Sequence, residues 1–182
     1  DLDPFGPEPD YIIIGAHDYN QVRQMGALKG TRSIWAIMEM VANGTTLIVL
    51  DQADRWAEQM SVYYHKSIKY TDIKNFGDTG RLFVGDSILF SGLPVNQAMN
   101  WEYQTLYRRN VRGLGLAQKG LETIVGISAQ NTDSIHNALT RVPFGTGQVI
   151  LSTLNLLPEA TSRKPQSAVA KKLLLNLLEY SK

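Results

Sequence analysis

Two short blocks of this 182-residue sequence contain the residue types that acyl-transfer chemistry uses. Residues 85–89 read Gly-Asp-Ser-Ile-Leu, and residues 133–136 read Asp-Ser-Ile-His. A serine can attack an acyl carbon when a histidine accepts its proton and an aspartate orients that histidine. Ser87, Asp133 and His136 are therefore a candidate catalytic triad.

The two blocks resemble the nucleophile block and the Asp-x-x-His block of Gly-Asp-Ser-Leu lipases and esterases, and this resemblance implies a small serine esterase. Their spacing argues against that activity. In the family the blocks lie near opposite ends of a domain of this size, whereas Asp133 follows Ser87 by only 46 residues. The family's intervening glycine and Gly-x-Asn-Asp blocks are also missing. We therefore expect Ser87 to lie beyond hydrogen-bond distance of His136.

An aromatic group, Trp101, Tyr103 and Tyr107, has side chains of the kind on which sugar rings stack. Aromatic residues at this spacing more often fill a hydrophobic core. Glycoside hydrolysis would also need two carboxylates about 5–10 Å apart, and nothing in the sequence pairs two of its acidic residues. The group is a candidate for sugar contact, with core packing as the alternative.

Composition excludes several other kinds of site. The chain has no cysteine, which excludes a thiolate nucleophile, disulfides and cysteine-bound zinc. Its three histidines lack ligand spacing, and no block has the glycines of a phosphate-binding loop, so we predict neither a metal nor a cofactor. A net charge of +1 without a basic run predicts no nucleic-acid partner. No apolar run approaches the roughly 18 residues that cross a membrane, so no membrane contact is predicted.

A strand–helix–strand unit near the amino terminus organises the predicted fold. Residues 11–14 and 46–50 are short, continuous apolar runs, which are typical of parallel strands covered on both faces. Between them, residues 31–43 have apolar side chains at helical spacing. Two parallel strands joined through a helix form a crossover, which is expected to be right-handed.

The second half of the chain predicts a hairpin and a closing helix. Strands over 139–144 and 148–154 flank a Gly-Thr-Gly turn, which predicts an antiparallel hairpin. Either Gly145 or Gly147 should have a positive φ, since so short a turn requires it. Residues 165–180 carry an apolar stripe and predict an amphipathic helix that packs on the sheet.

These elements predict an α/β fold with a mainly parallel sheet and helices on both faces. The sheet strands are predicted at 11–14, 46–50, 121–127 and 148–154. Residues 75–94 are rich in glycine and are predicted to form an irregular excursion that carries short elements.

Several stretches resemble known domains. Residues 41–50, Val-Ala-Asn-Gly-Thr-Thr-Leu-Ile-Val-Leu, are similar to the Val-x-x-Gly-Gly-Thr-Leu-Leu-Val-Leu unit of class I glutamine amidotransferase-like domains, which implies a flavodoxin-like three-layer fold. Residues 87–94, 142–156 and 170–180 are similar to accessory domains of large bacterial glycoside hydrolases of the family 2 and β-galactosidase-like types. Because glutamine amidotransferases use a cysteine nucleophile, their activity does not carry over to this chain.

The resemblance implies a non-catalytic accessory domain spanning residues 1–182, with a linker-like lead over 1–9, excised from the C-terminal part of a larger enzyme. Its partners would be the other domains of the parent polypeptide, with carbohydrate as a further ligand and homo-oligomers formed through the parent enzyme. The resemblance favours a periplasmic or extracellular location. The alternatives are the serine esterase described above and a carbohydrate-binding module that uses Trp101 and the neighbouring tyrosines.

Overall fold

The structure, a computed structural model, describes residues 9–16, 34–64, 67–76, 80–85, 88–94, 98–107, 112–129, 134–165 and 167–180. The strands are β1 (Tyr11–Ile14), β2 (Thr46–Val49), β3 (Tyr70–Asn75), β4 (Gly80–Val84), β5 (Arg112–Leu116), β6 (Glu122–Ala129), β7 (His136–Phe144) and β8 (Gly147–Ser152). The helices are α1 (Ile34–Ala42), α2 (Ala53–Tyr64), α3 (Gln104–Tyr107), α4 (Leu156–Ala160) and α5 (Ser167–Tyr180), with 3-10 turns at Ile88–Phe90 and Trp101–Tyr103.

The eight strands form one mixed sheet in which antiparallel pairs outnumber parallel ones. β1, β2 and β8 lie side by side and run parallel. β7 pairs antiparallel with β8 on one side and with β6 on the other, and β4 continues the sheet beyond β6. β5 meets β7 at the pair Leu114–Asn137, beyond the end of β8, and β3 pairs with β5. The central strand β7 therefore joins a parallel part of the sheet to an antiparallel part.

The prediction of a mainly parallel, flavodoxin-like sheet is wrong. The predicted strand 121–127 forms β6, which runs antiparallel to both of its neighbours. The predicted sheet consists of buried apolar runs and leaves out strands that are only half buried. No residue of β3 is fully buried, and β4 lies within the predicted excursion. The six residues between β6 and β7 are also too few for the crossover that parallel neighbours need.

Helices on both faces of the sheet create two hydrophobic cores. α1 and α2 pack on one face, where Met38 and Trp56 are almost completely buried. α3, α4 and α5 pack on the other face together with the two 3-10 turns. β2 lies between the cores, because Leu47 and Val49 belong to the first and Ile48 to the second. The prediction that this strand is buried on both faces is confirmed.

The β7–β8 hairpin turns tightly at Gly145 and Thr146. The φ of Gly145 is +61°, which confirms the predicted hairpin turn with a positive-φ glycine. The turn lies against the end of α1, where the backbone N–H and the hydroxyl of Thr146 donate to the Ala42 carbonyl oxygen at 2.9 and 3.0 Å. The hairpin therefore connects the centre of the sheet to α1.

The closing helix α5 is amphipathic, as predicted. Leu173 and Leu177 are fully buried against the second core. Asn176 lies on the same buried side, and its Nδ2 donates to the carbonyl oxygens of Leu89 at 2.7 Å and Ser91 at 2.9 Å. The helix thus holds the first 3-10 turn in place. In the described part of the chain, no helix is long and apolar enough to cross a membrane.

Candidate functional site

A cleft lies at the carboxyl ends of the three parallel strands, the edge at which open α/β sheets bind ligands. Its volume is about 310 Å³, near the lower end of the roughly 300–1,000 Å³ range of small-molecule sites. The segments that follow β1, β2 and β8 form most of its wall, and the start of β5 completes it. Polar residues that line it include Asp51, Gln52, Asp54, Arg112, Thr153 and Asn155.

Gln52 occupies a strained turn in this cleft. It lies between β2 and α2 and has a φ of +50°, the one positive φ of a non-glycine residue in the described ranges. Its carbonyl oxygen accepts hydrogen bonds from the N–H groups of Arg55 at 3.0 Å and Trp56 at 3.2 Å, so the first turn of α2 holds it there. In α/β-hydrolases a strained strand-to-helix turn presents the nucleophile. Here that position has a carboxamide.

Two opposite charges pair at the rim of the cleft. Arg112 Nη1 lies 3.1 Å from Asp54 Oδ2. Asp54 is in the first turn of α2, where the helix dipole favours a carboxylate. The Thr153 hydroxyl donates to the backbone carbonyl oxygen of Arg112 and so fixes the start of β5 beside the end of β8. The cleft therefore offers a paired carboxylate and guanidinium to a polar ligand.

We expect Gln52→Gly to stabilise the fold. A glycine adopts positive φ without the roughly 1–2 kcal/mol cost of a side chain, which outweighs the roughly 0.5–1 kcal/mol that glycine loses in backbone entropy. The net gain should be about 0.5–1 kcal/mol in the free energy of unfolding, measured by urea titration. Gln52→Ala is the matched control, because it removes the same amide but keeps the Cβ. Equal midpoints for the two variants would show that the turn is not strained.

The structure describes one member of the predicted triad, since Ser87 and Asp133 lie outside the described residues. His136 is 5% exposed. Its Nε2 lies 3.2 and 3.3 Å from the two carboxylate oxygens of Asp72, and its Nδ1 is buried with no hydrogen-bond partner among the described residues. His136 therefore has an acidic partner on β3 that the sequence did not suggest. The distance from Ser87 to His136 stays a prediction.

Asp72 is the exposed member of this pair. Burial raises the pKa of its carboxyl, but hydrogen bonds from His136 and Thr71, together with electrostatic attraction to His136 and Lys74, hold the pKa below its ordinary value. The pair meets across β5, where a Cβ at Gly113 would overlap His136 and a Cβ at Gly115 would overlap Asp72. The contact ties β3 to β7. Within the described ranges, no group of three or more histidine or acidic side chains could hold a metal ion.

The predicted aromatic group is divided between the core and the surface. Tyr103 is fully buried beside Phe90, with ring centroids 6.1 Å apart. Burial, together with the charge of Glu102, raises the pKa of Tyr103 to about 12. Tyr103 is therefore a core residue, which is the alternative that the sequence left open for this group. Trp101, by contrast, is 76% exposed.

Trp101 and Tyr107 line a surface groove of about 350 Å³. We call it the Trp101 groove and define it by Arg81, Met99, Asn100, Trp101, Gln104 and Tyr107. It shares no lining residue with the cleft at the strand ends. The sequence therefore identified two of the groove's residues but none of those in the cleft.

Solved structures of other proteins share the fold of this chain. It is similar to Cytoplasmic Protein STM3548 from Salmonella typhimurium, with a TM-score of 0.59 and 13% identity over 97% of this chain and 76% of that one. It is also similar to Cytoplasmic Protein STM1381 from Salmonella typhimurium LT2, with a TM-score of 0.53 and 14% identity over 95% and 72% of the two chains. At these identities the likeness shows the fold alone.

A weaker likeness relates the chain to Exo-beta-1,4-mannosidase Op5Man5 from Opitutaceae bacterium strain TAV5. The TM-score is 0.45 and the identity 15%, over 92% of this chain and 24% of that one. A score this low carries no argument about function. No protein-family model matches the chain, and no curated protein sequence matches it.

Proposed function

We propose that this chain is a non-catalytic accessory domain of a multi-domain carbohydrate-active enzyme. The observation that carries the non-catalytic part is the strained turn between β2 and α2, which holds Gln52. In α/β-hydrolases a turn of this kind presents the nucleophile, and in this chain the turn presents a carboxamide. The nitrogen of a carboxamide is delocalised into its carbonyl group, so Gln52 is not a nucleophile. The chain contains no cysteine to take its place.

The charged groups of the cleft support the same proposal. Asp54 and Arg112 pair with each other at 3.1 Å. Each group therefore has its charge compensated by the other at the rim of the cleft. The cleft in this proposal is a surface for binding or for packing, and no chemical step takes place in it.

The parent class comes from the resemblance of residues 87–94, 142–156 and 170–180 to accessory domains of large bacterial glycoside hydrolases. In this proposal the domain packs on the catalytic module of a family 2 or β-galactosidase-like enzyme, or shapes the entrance to its active site. Other domains of the same polypeptide are then its principal partners, and any homo-oligomer forms through the parent enzyme.

Hydrolysis assays with the purified chain test the non-catalytic part of this proposal. We expect no turnover of a short acyl ester or of glutamine above the rate in buffer, because the strained turn has no nucleophile. The competing candidate is the esterase of Ser87, Asp133 and His136. Ester hydrolysis that is lost in Ser87→Ala would establish that esterase and refute the accessory-domain proposal. Asp72→Asn is a useful companion variant, since it tests whether the acidic partner of His136 takes part.

A further inference from the structure

We propose that the Trp101 groove binds a saccharide, with a sugar ring stacked on the indole of Trp101. The first observation is the exposure of this side chain, 76%, the highest among the large hydrophobic residues that are exposed in the described part of the chain. A tryptophan ring offers a broad apolar face, and its N–H remains available for a polar partner. The C–H groups on one face of a pyranose ring complement such a face.

The platform that carries Trp101 is fixed by hydrogen bonds. The backbone carbonyl oxygen of Asn100 accepts from the N–H of Tyr103 at 3.1 Å and from the hydroxyl of Tyr107 at 3.1 Å. The N–H of Met99 donates to the Leu82 carbonyl oxygen of β4 at 3.1 Å. Beneath the turn, Tyr103 is fully buried. Trp101 is therefore presented on a preorganised surface, which reduces the entropy that binding costs.

Polar residues beside the indole suit the hydroxyl groups of a sugar. Asn100 and Gln104 line the groove, and each carboxamide can both donate and accept hydrogen bonds, as a sugar hydroxyl also does. Asn100 makes no side-chain capping bond to the 3-10 turn that it precedes. Arg81 adds a guanidinium, which donates only. One exposed indole with amides and one cation around it matches a neutral, polyhydroxylated ligand.

The size and chemistry of the groove favour a saccharide over other ligands. A volume of about 350 Å³ is close to the lower limit for small-molecule sites and leaves room for one or two sugar rings. A protein partner would need roughly 800 Å² of surface on each side, far more than one tryptophan provides. A nucleic acid would need several cations, whereas Arg81 is the one charged residue among the described residues that line the groove. This inference extends the proposed function to a second site, and its test is independent of the hydrolysis assays.

The test is a titration of the purified chain with lactose, cellotetraose, mannotetraose and xylotetraose, followed by tryptophan fluorescence and calorimetry. We expect at least one of these probes to bind at millimolar concentration or below and to change the tryptophan emission. Trp101→Ala should weaken that binding by at least about tenfold, which corresponds to about 1.4 kcal/mol. Gln104→Ala should weaken the binding by a smaller factor. If circular dichroism shows that Trp101→Ala does not fold, Gln104→Ala provides the test in its place.

Trp35→Ala is the matched control for the titration. Trp35 is 50% exposed on α1, which packs on the other face of the sheet, so its loss should leave the affinity unchanged. The proposal is overturned if none of the four saccharides binds. It is equally overturned if one binds and neither Trp101→Ala nor Gln104→Ala weakens it. Turnover in the hydrolysis assays would refute the proposed function and leave this test intact.

Discussion

Gly145→Ala should lower the free energy of unfolding by about 3 kcal/mol or more. The residue has a φ of +61°, and an alanine in that region costs about 1–2 kcal/mol. Its Cβ would also overlap the backbone carbonyl group of Ala42 at the end of α1. Backbone atoms cannot rotate away as a side chain can, so the hairpin and the helix must separate, and such overpacking costs about 1–3 kcal/mol. Urea titration measures the sum of the two costs directly.

Gly120→Ala is the control that separates the two costs. Gly120 also has a positive φ, +81°, but its Cβ would make ordinary contacts with Pro143, the nearest at 3.5 Å. Gly120→Ala should therefore lower the free energy of unfolding only by the cost of the positive φ, about 1–2 kcal/mol. If the two variants lose equal stability, the hairpin is not closely packed against α1.

Asn176→Ala should cost about 2–3 kcal/mol of stability. Its Nδ2 donates to the carbonyl oxygens of both Leu89 and Ser91. Removing the amide leaves these acceptors without that donor in a largely buried place, and an unsatisfied buried group costs about 1–3 kcal/mol. The loss should concentrate in the first 3-10 turn, where hydrogen exchange of the Ser91 and Leu93 amides would accelerate before the rest of the protein opens.

Leu175→Ala provides the matched change in the same helix. Leu175 is 55% exposed, so this variant should alter the stability by no more than about 0.5 kcal/mol. An Asn176→Ala variant as stable as Leu175→Ala would contradict the role assigned to the amide. So would unchanged exchange of the Ser91 and Leu93 amides.

The parts of the fold that the sequence predicted are those with strong local patterns. Burial and turn geometry directly select the residue types found at such places. The local sequence was therefore enough to predict the apolar run of β2, the Gly-Thr-Gly hairpin and the apolar stripe of α5. The direction of the remaining strands was not predictable in this way. β3 and β4 carry mixed polar and apolar side chains, and their antiparallel pairing depends on partners far along the chain.

The candidate sites follow the same division. Trp101 is one of three aromatic residues that the sequence places close together. The sequence does not distinguish an exposed aromatic side chain from a buried one, so the burial of Tyr103 was not predictable. Nothing in the sequence marks Gln52, since its positive φ is imposed by the strand and helix on either side. The contact between Asp72 and His136 joins residues 64 positions apart. One signal was present: the alternation of glycine with larger residues in β5 indicates that neighbouring side chains approach closely.

The most direct test of the accessory-domain proposal is the mass and peptide composition of the native polypeptide. An antibody raised against this chain would capture that polypeptide from the cells that produce it, under denaturing conditions with protease inhibitors. We expect an intact mass well above 20.3 kDa and tryptic peptides from a glycoside hydrolase catalytic module on the same polypeptide. A captured polypeptide of about the chain's own mass, or peptides from a module that does not act on carbohydrate, would contradict the proposal.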